Sequence, residues 1–326
     1  MSSAVFSTQL VSAAATCYAS PVVHTFIQAN TDGRLHDAAK ASISPLNRGF
    51  LYGDAIYEVW RTFDGVAFTF DEHWRRLEAS ARALHMALPF TRDELFSQIR
   101  RTARAFFKTV GAKPELYIRL QVTRGAGAIG LDTRLADRAS FVILVQSLKE
   151  VPPEKRAKGL KLSLATSLHR NHPLTLNPAW KTGNYLNNLL CLREALARGA
   201  DEVVMTSLRG EITEAAVSNL FFVKGRTVVT PRLQAGILSG ITRRFILGTV
   251  APRAGVKTVE KRVSVTDLAG FDECFLSGTT KGIAPVCAVD RQRFRVGKAT
   301  VTASLNVAYA AAAKEHVAKH GDLRIA

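Results

Sequence analysis

Apolar and polar residues alternate from Leu116 to Thr123, the period of a half-buried strand. Leu51–Phe63 and Val66–Phe70 read as two more strands, joined by an Asp64-Gly65 hairpin turn. Asp71 is placed to cap a helix running from Glu72 to about Met86, which Leu88-Pro89 ends. Thr91, with Glu94 three residues on, predicts a capping box and a second helix to about Val110. Upstream, Val22–Ile27 reads as a first strand, Asn30–Gly33 as a turn, and Ala41–Phe50 as a loop broken by Pro45 and Gly49. Arg124–Gly130 reads as a flexible loop and Phe141–Gln146 as a buried strand.

Residues 149–159 are charged and carry Pro152-Pro153, which marks them as a linker. Beyond it, strands at Leu160–Ala165, Glu202–Thr206, Asn219–Val223 and Thr227–Thr230 surround an apolar helical run, Leu189–Arg198, that stops at Gly199. Gly240-Ile241-Thr242 opens a helix to about Val250, Lys257–Val263 is strand-like, and Glu273–Leu276 is a short strand ending in Ser277-Gly278-Thr279-Thr280. An alanine-rich helix covers Thr302–Lys319, and no internal repeat is present. Strands and helices that do not strictly alternate predict an α+β fold with two lobes. The lobes are a small α/β domain at 24–148 and a larger domain at 160–326, with 149–159 between them. Residues 1–23 form an N-terminal extension that is small, apolar and free of acids. The first Lys or Arg is Arg34, so the charged segment of a secretory signal and the arginines of a transit peptide are both missing. The expected location is the cytoplasm.

Bulk composition narrows the class. The chain has 326 residues, 47% of them hydrophobic and 22% charged, which is ordinary for a soluble globular protein with a sizeable core. The 44 Lys+Arg against 27 Asp+Glu give +17. Nucleic acid is one reading of such a balance and an anionic ligand is another. The basic residues are scattered, as in Arg100-Arg101, Arg243-Arg244 and Lys261-Arg262, with no basic tail and no zinc-finger spacing. This favours a solvated surface with a few anion-binding arginines, so neither nucleic acid nor a membrane is expected as a partner. Cys17, Cys191, Cys274 and Cys287 form no CxxC and read as isolated thiols, with no metal site expected.

Several stretches carry candidate chemistry. Lys181 lies between Trp180 and the small-polar run Thr182-Gly183-Asn184, beside an apolar helix. A desolvated lysine has a lowered pKa and a nucleophilic amine, which a Schiff base requires. Gly240-Ile241-Thr242 offers free backbone N–H groups at a helix start, Ser277–Thr280 offers hydroxyls in a turn, and Arg76 offers a charged fork; together they suit a phosphate. Glu214 precedes an apolar strand and could hold a proton on a ring nitrogen. Taken singly, each has a bland alternative: a surface lysine, a helix start, a loop, a solvated arginine, a capping carboxylate.

In combination, and in this order, these segments resemble the class IV (fold type IV) pyridoxal-phosphate aminotransferases. The family includes branched-chain and D-amino-acid aminotransferases and aminodeoxychorismate lyases. The matching segments are Arg48–Asp54, His73–Leu77, Lys181 with Gly183-Asn184-Tyr185, Thr213-Glu214 through Phe221, Gly240–Arg243, and Ser277–Thr280 with Pro285-Val286. The resemblance implies pyridoxal 5'-phosphate as cofactor, 160–326 as the domain that binds it, and amino-acid and 2-oxo-acid substrates. It implies that Lys181 forms the Schiff base and shuttles the α-proton, and that Glu214 keeps the ring nitrogen protonated. Arg76, the backbone of Ile241 and Thr242, and Thr279 would hold the phosphate, with Tyr185 near the phenolic oxygen.

For the substrate, Tyr117-Ile118-Arg119 resembles the Tyr-x-Arg strand of branched-chain enzymes, and Tyr52 and Arg61 match positions lining that pocket, with Thr280 at its edge. Tyr57-Glu58-Val59 is more similar to D-amino-acid enzymes, yet their Arg-x-His trap is absent between Leu116 and Leu148. Thr123–Gly127 and Thr230–Leu233 are similar to the lyase, and Lys281-Gly282 replaces a pair that usually ends in Glu. The expected activity is amino transfer from an L-branched-chain or related amino acid, with the lyase and D-amino-acid reactions as alternatives. The family also implies a homodimer in which Gly125–Leu131 reaches the neighbour.

Overall fold

The computed structural model describes residues 25–325. Its first sheet takes β1 (Gln28–Thr31), β2 (Arg34–Asp37), β3 (Ala55–Phe63), β4 (Val66–Ala67), β5 (Leu116–Thr123) and β6 (Ser140–Ser147) in the order β2-β1-β6-β5-β3-β4. Every pairing in it is antiparallel. The alternation in β5 has the expected consequence: Leu116, Ile118, Leu120 and Val122 are buried in the core, while Tyr117, Arg119 and Gln121 face the other way. Two helices, α2 (Phe70–Ala83) and α3 (Arg92–Val110), supply Leu77, Leu95, Ile99 and Phe106 to that core, where they meet Trp60 of β3. Each such fully buried side chain stabilises by about 1.5–3 kcal/mol.

The capping box at Thr91 and Glu94 forms, and Gly111 ends α3 at φ 69°. The Asp64-Gly65 turn forms with both residues at positive φ. Three local expectations shift. The segment 25–27 carries no strand, pairing begins only at Gln28, and 22–24 lie outside the described residues. Phe26 stacks on Phe106 of α3, which explains its hydrophobicity without a ladder. The end of the predicted loop and the first residues of the predicted Leu51–Phe63 strand coil into α1 (Arg48–Tyr52), capped by the Asn47 side chain, so β3 begins only at Ala55. Thr69, not Asp71, is the N-cap of α2, because the short β4 feeds the helix directly; Asp71 falls in the first turn and pairs with Arg92 at 2.7 Å.

The second sheet runs β11-β10-β9-β12-β13-β7-β8, with β14 on the edge of β13. The strands are β7 (Leu160–Leu164), β8 (Glu202–Val204), β9 (Asn219–Lys224), β10 (Thr227–Pro231), β11 (Lys257–Lys261), β12 (Glu273–Gly278), β13 (Gly282–Val289) and β14 (Gln292–Arg293). The predicted linker holds a one-turn helix, α4 (Pro153–Lys158), with a proline in its first turn. The helix after Lys181 is α5 (Leu186–Ala197). From Gly240 the chain coils as α6 (Ile241–Phe245), a π turn at Ile246–Val250, and α7 (Ala251–Arg253). The C-terminal helix, α8 (Val301–Lys319), is capped by Thr300.

Strand β13 has no counterpart among the expected strands, and it contains Pro285, which has no N–H for a ladder. It is tolerated because β7 pairs only from Val286 onward, across a bulge, so that edge of the ladder starts past the proline. Cys191 and Cys274 are buried free thiols, as expected, and Cys17 lies outside the described residues. Among the described residues no helix is long and apolar enough to cross a membrane, and no cluster of metal-ligating side chains occurs.

The chain's end returns to the first sheet. Leu323 and Ile325 join its core, and Ile325 N–H donates to Gly65 O at 2.8 Å. From α8, His316 Nε2 accepts the Thr69 backbone N–H at 3.2 Å, at the cap of α2. Burial lowers the His316 pKa, and the stacked His320 ring lowers it further, against the opposing charges of Glu72 and Asp71. A folded value below the ordinary one of about 6.5 means the neutral ring's contribution is complete above that pH. The contribution is lost as pH falls through the lower folded value. The expected outcome is that denaturant midpoints drop on mild acidification in the parent and less steeply in His316→Gln; equal slopes would refute the assignment.

Candidate functional site

The segment that carries Lys181 is positioned by backbone pairing with β3. Tyr57 N–H donates to Lys181 O at 3.0 Å, Gly183 N–H donates to Ala55 O at 2.8 Å, and Ile56 and Thr182 form an antiparallel bridge. Lys181 N–H also donates to Ser80 Oγ of α2 at 3.2 Å. At its far end the segment leans on Gly53, which caps α1 at φ 67°; a Cβ there would lie 2.5 Å from Asn184 Oδ1. Asn184 in turn donates to Gly53 O at 2.9 Å.

This places the lysine amine against aromatic rings. Lys181 Nζ lies 4.1 Å from the centroid of Tyr57 and 5.9 Å from that of Tyr185. The two tyrosines meet edge-to-face at 5.3 Å. The dry neighbour expected at Trp180 is not one: that ring is 37% exposed, and the aromatic wall comes from Tyr57 and Tyr185. Burial, then the neighbouring Tyr185, pushes the Tyr57 hydroxyl well above its ordinary range.

One cavity is lined by Lys181, Tyr185, Tyr57, Arg76, Glu214, Ile241, Thr242 and Thr279, together with Ser218, Gly240, Ser277 and Gly278. It therefore gathers all the residues that the sequence assigned to a cofactor. Arg76 projects from α2 and is aimed by two buried partners. Its Nε and Nη2 donate to Glu58 Oε1 and Oε2 at 2.7 and 2.8 Å, and His73 Nδ1 meets Glu58 Oε2 at 2.7 Å. Burial would raise the Glu58 pKa, but the Arg76 charge and then His73 hold it well below the usual carboxylate range. Arg76 Nη1 donates to Ser239 O at 3.2 Å, so the guanidinium sits beside the start of α6. There the Ile241 and Thr242 amides belong to the first turn, and Gly240 provides no side-chain cap. The Ser277 hydroxyl is buried, lines the same cavity and has no hydrogen-bond partner among the described residues.

Glu214 is 5% exposed. Its Oε1 accepts from Arg170 Nε at 3.0 Å, and its Oε2 accepts from Leu238 N–H at 3.1 Å and Asn219 Nδ2 at 3.3 Å. Burial raises its pKa, and Arg170 chiefly opposes the shift. Free amides, an arginine fork and an unpaired buried hydroxyl suit a phosphate. A carboxylate with an open lone pair suits a protonated ring nitrogen, and an amine between them suits an aldehyde. The residues present fit pyridoxal 5'-phosphate.

The substrate candidates are placed less uniformly. Tyr57 lines the cavity, and Arg119 stands behind it, with its guanidinium 4.0 Å from the Tyr57 centroid and one arm on Gln121. Tyr52, Arg61, Tyr117 and Thr280 do not line it. Arg61 stacks on Phe63 at 3.8 Å and pairs with Glu150, and Tyr117 lies opposite it on β5. Thr280 sits in the turn between β12 and β13. Tyr52 accepts the Gly130 N–H at 3.1 Å, and buried Arg48 donates to the carbonyls of Gly130 and Leu131. The Arg48–Asp54 segment therefore fixes the Gly125–Leu131 loop. Ser277 belongs to the Ser277–Thr280 run that the sequence marked for a phosphate. Glu58, Arg170 and Asn219 were given no site role from the sequence, although Glu58 and Asn219 lie within segments the resemblance matched.

The family profile "amino-transferase class IV" matches residues 55–289. The chain is 34% identical over 259 residues to a putative branched-chain-amino-acid aminotransferase of Methanocaldococcus jannaschii, covering 79% of this chain and 86% of that protein. It is 27% identical to an aminodeoxychorismate lyase of Bacillus subtilis, over 89% of this chain and 96% of the relative. Among solved structures, the branched-chain aminotransferase of Thermoproteus uzoniensis with norvaline superimposes with a TM-score of 0.81 at 29% identity, covering 90% and 97% of the two chains. The chain belongs to the class IV aminotransferases, enzymes of fold type IV that use pyridoxal 5'-phosphate.

The Glu58–Arg76 pair is nearly solvent-free, with side-chain exposures of 0% and 11%. Glu58→Ala leaves the guanidinium uncompensated and is expected to cost about 3–5 kcal/mol of stability. Urea unfolding measures this, and a loss below about 1 kcal/mol would show that the arginine is held by other means.

Proposed function

We propose that this enzyme moves an amino group from an L-branched-chain or related amino acid to a 2-oxo acid, with Lys181 as the catalytic residue. The observation that carries the reading is the single cavity shared by Lys181, Glu214, Arg76 and the start of α6. Pyridoxal 5'-phosphate, once bound there, supplies a carbonyl that captures amines and a ring that accepts electrons. Lys181 Nζ would hold the cofactor through that carbonyl, with loss of water, and when free would move the proton at the substrate α-carbon. Glu214 holds a proton at the ring nitrogen. Arg76, the Ile241 and Thr242 amides, and the Thr279 and Ser277 hydroxyls bind the phosphate. Tyr185 orients the phenolic edge, and Tyr57 forms the wall of the substrate side.

Arg119 of β5 is the residue proposed to meet the substrate carboxylate, from its place against the Tyr57 ring of β3 that lines the cavity. The similarity to branched-chain enzymes and the missing Arg-x-His trap support the L-amino-acid choice. The near full-length similarity to an aminodeoxychorismate lyase supports a second reading, pyruvate release through the same lysine. We further propose a cytoplasmic homodimer of two-domain subunits. Phe50, Ile129 and Leu131 are 71%, 74% and 81% exposed, on α1 and on the loop it anchors, which is a surface a second copy would cover.

Borohydride reduction of the holoenzyme followed by peptide mapping is expected to label Lys181. Lys181→Ala is expected to abolish both the label and amino transfer; labelling elsewhere would sink the assignment. A donor panel with 2-oxoglutarate, run with both enantiomers of each amino acid, is expected to show L-selective transfer. Pyruvate formed from aminodeoxychorismate without any amino transfer would establish the lyase instead.

A further inference from the structure

The carboxylate proposed for the ring nitrogen does not stand alone. Arg170 is 8% exposed and does not line the cavity, yet it donates Nε to Glu214 Oε1 at 3.0 Å. Its own position is fixed by two further contacts. The Arg170 N–H donates to Thr206 O at 2.8 Å, Nη1 donates to Asn188 Oδ1 at 3.3 Å, and Asn188 Nδ2 is anchored on Ala216 O at 2.8 Å. Asn188 belongs to α5, the helix that follows the lysine segment.

The hydrogen-bond inventory of Glu214 makes this contact directional. Each carboxylate oxygen has two lone pairs. Oε2 is filled by Leu238 N–H and Asn219 Nδ2, whereas Oε1 takes one protein donor among the described residues, Arg170. One lone pair of Oε1 is left for the cavity. An isolated buried carboxylate would neutralise itself by taking a proton, after which that oxygen could no longer draw one from a ring nitrogen. The other cation facing Glu214 is Lys181, whose amine would be the group that bonds the cofactor and exchanges protons. Arg170 is therefore the charge that persists through the reaction.

We propose that Arg170 is a positioning residue for amino transfer: it keeps Glu214 ionised and aims the open lone pair of Oε1 at the cofactor's ring nitrogen. The proposal rests on the reading of Glu214 given above. If Arg170 merely stitched its loop to α5, its loss would lower stability without changing the protonation of the ring.

The test uses holoenzyme carrying pyridoxal phosphate labelled with nitrogen-15 in the ring, whose chemical shift reports protonation. The parent and Arg170→Lys are expected to hold the nitrogen protonated across the active pH range. Arg170→Met and Glu214→Gln are expected to lose that protonation. Arg170→Met leaves a buried acid unpaired and could unfold, so the double variant Arg170→Met/Glu214→Gln, which removes both charges, is measured beside Glu214→Gln. Equal kcat in those two is expected, because Arg170 acts only through Glu214; a further loss of about tenfold overturns the proposal. A nitrogen that stays protonated in Arg170→Met but not in Glu214→Gln overturns it too. Protonation that survives Glu214→Gln refutes the placing of Glu214 itself, and the role of Arg170 with it.

Discussion

The site depends on a short piece of backbone pairing. Residues 181–183 add to the edge of β3 at Ala55–Tyr57, so the catalytic segment of the second half of the chain is gripped by a strand of the first. Peptide hydrogen bonds fix both the height and the facing of a strand residue, because a slip of one position would turn the side chain to the opposite face. The pairing therefore decides which lysine enters the cavity and which tyrosine, Tyr57, it meets. Ser80 from α2 and Gly53 at the end of α1 hold the same segment from either side.

Around that lysine the protein keeps charges dry by pairing them. Glu58 with Arg76 and His73 forms one buried set, and Glu214 with Arg170 forms another. In each, one member faces the cavity while its partner stands behind. An unpaired charge at such depth would neutralise or pull in water, so the supporting partner lets the facing group remain charged and fixed. The division of labour suits an anionic cofactor with a basic ring nitrogen: a cation faces the cavity beside the start of α6, and an anion faces it at Glu214.

Local rules in the sequence were legible wherever the signal was local. The capping box at Thr91, the Asp64-Gly65 turn and the alternation of β5 are short-range effects, and each formed as its residues dictated. Strand β13 has no counterpart among the expected strands, and only the neighbours β12 and β7 reveal where the missing N–H of Pro285 does no harm. The same limit explains Trp180, whose ring is near Lys181 in sequence but open to solvent in space. Arg61 and Tyr117 share a face with Tyr57 and Arg119 by strand period, yet they sit further along it, away from the cavity.

By itself the sequence carried the α+β character, the family and its cofactor, and it put forward the ordered set Arg76, Lys181, Glu214, Thr242 and Thr279 for the site. These follow from residue types at fixed separations, which a linear string carries. Tertiary structure alone decided which partners stand behind those residues. Glu58 lies 18 residues from Arg76, and Arg170 lies 44 residues from Glu214. No periodicity links such positions. They meet because β3 packs against α2, and because the Arg170 backbone pairs with Thr206 while the adjacent Met205 pairs with Glu214. A chain's pattern specifies what each element is, whereas the pairing of buried charges depends on how elements are packed.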